Sequence, residues 1–365
     1  MGDMITNLFH GEGNPRNSEG AFVKLKNGDI LFVYTRYKSD SWEDAAAADL
    51  VSRISKDGGR TWGDWNTVVQ GTRQNVMSVS LLRLQDGRIA MAYAEKSRKE
   101  RQLLDASADD SDVLDCRPWI CFSSDEGATW SASRDVTRLP PSYIVVNNDR
   151  LVQLSGGRLI LPIAFHHLTG KKGSFGESIH PRAESYFYLS DDGGASWREA
   201  QQCCYPPQGM ISGLREPGVV ELADGRIMAW FRTDSGMQYK SFSVDGGETW
   251  STPEPAFEFP SQESPLSMKR NPATGELFAV WSDIDPRWGV TPTPESWQRT
   301  PLVMARSTDE GKSWHGHRVL EKEPDHGYCY IAMLFDDNAL LLAYCCGGAK
   351  DSIVLQDLRI RRIEM

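Results

Sequence analysis

Apolar and polar residues alternate along most of the 365-residue chain with the two-residue period of β-strands, in pairs of runs joined by short turns. Six such pairs read as hairpins. They run from Val23 to Tyr34 around Asn27-Gly28, Leu82 to Tyr93 around Asp86-Gly87, and Leu151 to Ile163 around Gly156-Gly157. The others run from Val219 to Phe231 around Asp224-Gly225, Met268 to Trp281 around Thr274-Gly275, and Ile331 to Tyr344 around Asp337-Asn338. Asn-Gly and Asp-Gly between alternating runs are strong hairpin signals, because the tight turn needs residues that accept a positive φ. No stretch predicts a substantial helix, and no linker interrupts the series.

A second pattern interleaves with the first. Ser-x-Asp-x-Gly-x-Thr/Ser-Trp occurs at Ser55 to Trp62, Ser123 to Trp130, Ser190 to Trp197, Ser243 to Trp250 and Ser307 to Trp314. In each copy the Asp side chain can bond amides of its own turn, the Gly supplies a positive φ, and the Trp anchors the turn against its neighbours. Such recurrence marks a repeat architecture. Each of the first five hairpins is followed by a variable loop, a third strand entering this turn, and a fourth strand. Four antiparallel strands repeated six times predict an all-β fold, a six-bladed β-propeller forming one domain over residues 1–365. The sixth unit lacks the turn, and its outer strand is expected from Ser352 to Ile363 or from the segment before Ser18. Placing both termini in one blade would avoid open edges.

This register sorts residues by end. The Gly turns and the Asp turns share one end, so the loops Lys38 to Leu50, Lys96 to Pro118, His166 to Glu184 and Asp283 to Thr300 fall at the other. A polar ring gathers there, from Glu19, Asn148 and Glu216 at starts of first strands to Arg36, Glu95, His166, His167 and Arg232 at ends of second strands.

Composition adds limits. Apolar, charged and aromatic contents of 40%, 25% and 10% are those of a soluble globular protein. A formal charge of −10 disfavours nucleic-acid and anionic-membrane partners while leaving room for a local basic pocket. Met1 to Asn14 carries no leader-like pattern, and a cytosolic location is the expectation. The seven cysteines show neither zinc spacing nor a disulfide framework and read as small core residues. No metal site or cofactor is expected, and the carboxylates of Ala106 to Asp115 read as a solvated loop.

The five repeated turns resemble the Asp-boxes, or BNR repeats, of the sialidase-like superfamily, and the resemblance covers residues 18 to 350. It implies a carbohydrate substrate and specific roles. Asp44, in the loop after the first hairpin, lies where sialidases carry the acid/base aspartate, with Asp49 as its rival. Glu216 in Arg215-Glu216-Pro217 is similar to the glutamate that assists the nucleophile. Tyr328 in Tyr328-Cys-Tyr330 matches the nucleophilic tyrosine, with Tyr330 as a ready competitor and a Glu216–Tyr328 pairing as the implied contact. Arg232 and Arg299 resemble two members of the arginine triad that grips a sugar carboxylate, for which the planar guanidinium fork is suited. Glu19, Glu95, His166, Asn148 and Arg36 complete the expected substrate-binding set.

One departure stands out. Where the family opens its first blade with Arg-Ile-Pro, this chain has Ser18-Glu19-Gly20, and Arg16 or Arg36 would have to replace the missing arginine. Glu19 would repel a substrate carboxylate. The expected activity is that of an exo-acting retaining glycosidase releasing a terminal sialic acid or a related acidic or modified sugar. The alternatives are a polysaccharide lyase using His166 or His167 with a tyrosine, and a non-catalytic glycan-binding propeller. Oligomeric state is left open.

Overall fold

The computed structural model describes residues 2–38, 40–71, 75–100, 112–137, 139–140, 142–170 and 175–365. The alternating runs form strands, and among the described residues these make six four-stranded antiparallel units. Unit one is Asn17–Lys24, Ile30–Tyr37, Ala48–Ser55 and Asn66–Val69. Unit two is Asn75–Arg83, Ile89–Glu100, Asp112–Ser123 and Arg134–Asp135. Unit three begins with a strand in two pieces, Tyr143–Val145 and Val152–Gln153, then Leu159–His166, Glu184–Ser190 and Arg198–Glu199. Unit four is Arg215–Glu221, Ile227–Arg232, Met237–Ser243 and Glu254–Pro260, and unit five is Ser267–Arg270, Leu277–Ser282, Leu302–Ser307 and His315–Glu321. Unit six takes His326–Asp336 and Ala339–Gly348, then the C-terminal Asp357–Glu364, and finally the N-terminal Met4–Leu8 on its outer edge. Both termini therefore close the same sheet. Units one to three are further joined by two parallel pairings, Ala48 with Asn75 and Tyr143 with Cys116.

Each Asp turn is built as its sequence implies. In the first, Ser55 Oγ donates to Asp57 Oδ1 at 2.8 Å and accepts from the Gly59 amide, while Thr61 donates its amide and hydroxyl to Asp57 at 2.8 and 2.6 Å. The turn at Ser190 repeats this pattern. Gly194 needs to be glycine twice over: its φ is 89°, and a Cβ there would lie 2.3 Å from the Phe122 ring of the preceding unit.

The tryptophans pack with apolar clusters that each span two consecutive units. Trp130 lies with Val33 and Met91 between units one and two, and Trp197 with Ala92 and Leu161 between two and three. Trp250 stacks on Phe187 between units three and four, and Trp314 meets Phe259 between four and five. A fifth cluster joins Phe278 to Leu342 between units five and six, and Trp62 sits with Phe32 and Leu341 between six and one. Burial in these six clusters, at roughly 25 cal/mol per Å² of apolar surface, is the main term holding one unit to the next. Six of the seven cysteines are buried, as their reading as core residues anticipates.

One detail differs from the sequence reading. Lys96 to Pro118 is not a loop throughout: the ladder continues from Ile89↔Ser123 out to Glu100↔Asp112. Lys96-Ser-Arg-Lys-Glu100 carries no apolar residue, so the alternation stops while backbone pairing goes on. Residues 106–111 of the acidic run lie outside the described residues. Elsewhere among the described residues the loops hold a four-residue helix, Phe175–Ser178, and short 3-10 turns at Pro286–Trp288 and Pro294–Ser296. No helix among the described residues is long and apolar enough to cross a membrane.

Candidate active site

Four first strands share a local irregularity. Register shifts fall between Ser18 and Gly20, Met77 and Ser80, Arg215 and Gly218, and Cys329 and Ala332. The residues inside them, Glu19, Ser78, Glu216 and Tyr330, have φ of 31°, 57°, 48° and 60°. A bulge of this kind re-aims a side chain that a regular strand would send to its flank. Left-handed backbone at non-glycine residues costs of order 1 kcal/mol or more and clusters at functional sites. All four side chains line one cavity of about 780 Å³.

The bulge decides between the two tyrosines. Tyr330 faces the cavity and its hydroxyl donates to Glu216 Oε1 at 3.1 Å. Tyr328 pairs with Cys346, packs in the apolar cluster between units five and six, and donates to Glu323 at 2.5 Å. The implied Glu216–Tyr328 contact is therefore replaced by Glu216–Tyr330, because the left-handed residue breaks the strand parity that makes the two look equivalent. Burial, then the Glu216 charge, push the Tyr330 phenol up, against Arg299 and Arg232, which lower it. Glu216 Oε1 also accepts from Arg232 Nη1 at 2.7 Å, and its Oε2 is buried without a hydrogen-bond partner.

Three buried arginines reach the same cavity. Arg232 is paired with Glu216. Arg299 donates to Cys329 Sγ at 3.1 Å and to the Glu263 carbonyl at 3.3 Å, and forms no ion pair with a carboxylate among the described residues. Arg16 is the one the sequence left as a possibility. It is 1% exposed, lies over the Tyr37 ring at 4.8 Å, and donates to Asp44 Oδ1 at 2.6 Å and Ser18 Oγ at 3.0 Å. The serine standing in the family's arginine position thus props an arginine two residues earlier. Arg36 instead stacks on Trp65 at 4.6 Å and does not line the cavity.

Asp44 lines the cavity with its side chain 51% exposed, whereas its rival Asp49 is strand-embedded and held by Lys38 and the Gly71 amide. Burial raises the Asp44 pKa, but Lys96 and then Arg16 outweigh it, so the carboxyl sits well below the usual range. Glu19 is the opposite case: it is 3% exposed, and burial pushes it up to about 7 against its hydrogen bond from Ser78 and the charge of Arg16. Its folded pKa exceeds the unfolded value of 4.5, so the folded state loses stability as pH rises from about 4.5 through about 7. Glu19→Gln removes that loss. Denaturation across this range is expected to show the variant gaining on the wild type by on the order of 3 kcal/mol at pH 8; parallel curves would contradict it.

His166 lines the cavity, its Nδ1 at 2.9 Å from the His180 carbonyl, and burial lowers it to about 4. His167 is outside, 3.6 Å from Glu184. Asn148 is not at the wall: its amide spans the interior to the carbonyls of Gly20 and Tyr330 at 2.9 and 3.1 Å, fixing two of the bulges. Glu95 also falls outside the lining. Of the expected set, Asp44, Glu216, Arg232, Arg299, Glu19 and His166 come together, and Tyr328, Arg36, Glu95 and Asn148 do not. Sequence reasoning did not single out Trp42, Trp297, Lys96 or Tyr143, all of which line the cavity. For Tyr330 a signal existed: Glu19, Ser78 and Glu216 each lie nine residues before their hairpin glycine, and Tyr330 lies eight before Asn338 in the tighter sixth turn.

The chain matches the family of BNR repeat-like domains over residues 115–342. It is 32% identical over 139 residues to an anhydrosialidase of Macrobdella decora, covering 36% of this chain and 16% of that protein. It is 26% identical over 254 residues to a sialidase of Micromonospora viridifaciens, covering 66% and 36%. The chain thus spans well under half the length of these two relatives. In fold it is similar to the intramolecular trans-sialidase of Ruminococcus gnavus, with a TM-score of 0.70 at 15% identity, covering 98% of this chain and 96% of the other. The repeated turns, the shared fold and the family match agree: the chain belongs to the BNR-repeat, sialidase-like superfamily.

Proposed function

We propose that this chain is an exo-acting, retaining glycoside hydrolase that releases a terminal sialic acid or a related acidic sugar, and that its six units are the blades of a single β-propeller over residues 1–365. The blade reading is supported by the six inter-unit clusters, of which the last joins unit six to unit one. The catalytic reading is carried by one observation: the Glu216 carboxylate is shared between the Tyr330 hydroxyl and Arg232 on the wall of the cavity.

In this reading Tyr330 Oη attacks the anomeric carbon while Glu216 takes the phenolic proton, which overcomes the poor nucleophilicity of a buried phenol. Asp44 gives a proton to the leaving oxygen as the glycosidic bond breaks. Water then attacks the tyrosyl-bound sugar, Asp44 removes its proton, and Glu216 returns a proton to Tyr330. Two displacements at one carbon retain its configuration, by a tyrosine route that departs from the two-carboxylate scheme. Arg16, Arg232 and Arg299 form the clamp for the sugar carboxylate. Arg299 is the strongest support for an anionic ligand, since a buried guanidinium without a carboxylate is costly until one arrives.

The test is a screen of aryl glycosides of N-acetylneuraminic and deaminated neuraminic acids with the product identified. Release of the free sugar with retained configuration supports the proposal. A product absorbing as an unsaturated uronate from a uronate polysaccharide would favour the lyase reading instead, for which the neutral, cavity-facing His166 is the available base. A product in which the sugar's own hydroxyl replaces water would point to intramolecular transfer, the reaction that the name anhydrosialidase suggests.

A further inference from the structure

The free site holds its acid in the wrong state. An acid catalyst must carry a proton, yet Asp44 is ion-paired to Arg16 at 2.6 Å, and Lys96 donates to its backbone carbonyl at 3.2 Å. The clamp has the matching defect, because Arg16 already has an anion. Asp44 is half-exposed in a loop, whereas Arg16 is fixed by burial, by the Tyr37 ring and by Ser18. If one partner yields, it is Asp44.

We infer that Arg16 and Asp44 form an exchangeable pair: the carboxylate of the incoming sugar takes Arg16, and the displaced Asp44, now beside a new negative charge, picks up the proton it delivers to the leaving group. The inference rests on the acidic-sugar reading of the site and adds to it a coupling between recognition and acid catalysis. The one bond formed is the O–H bond on Asp44, its proton supplied by solvent. One ion pair is exchanged for another, and one proton enters from solvent with the substrate anion. Only substrates bearing the carboxylate arm the acid, so a neutral sugar of similar shape binds to a site without a proton donor. Coupling of this kind is reciprocal: protonating Asp44 frees Arg16 and tightens binding of the anion.

The groups facing the pair decide the conditions of the test. Lys96 and Arg299 lower Asp44, and Tyr37, Glu19, Cys116, Tyr143 and Cys345 also face the pair. Glu19, at about 7, is already protonated at pH 5 and has no further proton to take. His166, at about 4, is mostly neutral there, and its contribution is separated by substitution at Asp44.

The experiment measures calorimetric binding of 2,3-dehydro-2-deoxy-N-acetylneuraminic acid, an unhydrolysed carboxylate sugar, in buffers of different ionisation enthalpy at pH 5, beside its methyl ester. The wild type is expected to take up roughly half a proton or more with the acid and almost none with the ester. Asp44→Asn is expected to lose the uptake and to bind the acid about three- to tenfold more tightly, since Arg16 no longer has to leave a partner. Binding of the acid without proton uptake, or an Asp44→Asn variant that binds no more tightly, would overturn the exchange while leaving the acidic-sugar reading standing. Absence of binding at millimolar ligand would instead overturn that reading, and the exchange with it.

Discussion

Tyr330→Phe is expected to lower turnover of an aryl sialoside on the order of 10³-fold or more while leaving binding of the unsaturated analogue within a few-fold. The substitution deletes one oxygen from a side chain held by packing and by Asn148 at its backbone, so the pocket keeps its shape. What is lost is the atom that would bond to the anomeric carbon, and with it the only tyrosine oxygen in contact with Glu216 among the described residues. Tyr328→Phe is the control. Its hydroxyl donates to Glu323, an exposed carboxylate that also accepts from the Lys322 amide, so its removal is expected to cost about 0.5–1.5 kcal/mol of stability, the usual net worth of one hydrogen bond. Turnover per folded molecule should stay within a few-fold. The opposite outcome, an inactive Tyr328→Phe beside an active Tyr330→Phe, would return the nucleophile's role to Tyr328.

The second large effect depends on the leaving group. Asp44→Asn is expected to slow cleavage of an alkyl sialoside about 10²- to 10⁴-fold, the usual worth of positioned acid catalysis, because an alkoxide does not depart without a proton. An aryl sialoside whose phenol is acidic needs no such help, so its first step should be nearly normal. Its second step still lacks the base that activates water. The variant should therefore give a burst of phenol equal to the enzyme concentration, followed by a slow steady rate and a lowered KM. Equal losses on both substrates, without a burst, would contradict an acid/base role for Asp44. In the wild type the ionised Asp44 of the free site predicts that kcat/KM for an alkyl sialoside falls as pH rises, since binding and protonation are coupled.

Much of this arrangement was legible in the sequence because hairpins and Asp turns are local. A turn such as Ser243 to Trp250 bonds to itself, so its residues announce it without reference to the rest of the chain. The register of the hairpins then follows by counting, and counting placed Asp44, Glu216, Arg232 and Arg299 at one end. It favoured Tyr328 over Tyr330; the two share parity in a regular strand and differ only through a left-handed bulge. It also assigned Asn148 to a ligand, although its amide bonds two backbone carbonyls that come from units one and six. Arg36 and Arg16 illustrate the same limit. Both lie near the mouth in sequence, but Trp65 draws one outward, while Tyr37 and Ser18 hold the other inward. Glu95 and Lys96 are adjacent in one strand and point to opposite faces, so only the second reaches the cavity.

The central claim is that a tyrosine on the left-handed bulge of unit six forms the covalent intermediate. A 2,3-difluorinated sialic acid tests it directly: fluoride at C2 leaves readily, and fluorine at C3 destabilises the cationic transition state of the second step, so the adduct accumulates. Peptide mass spectrometry of the treated wild-type protein is predicted to find one sugar-mass adduct, on Tyr330, absent from Tyr330→Phe and undiminished in Tyr328→Phe. An adduct on Tyr328, or time-dependent inactivation with the label on any other residue, would contradict the account.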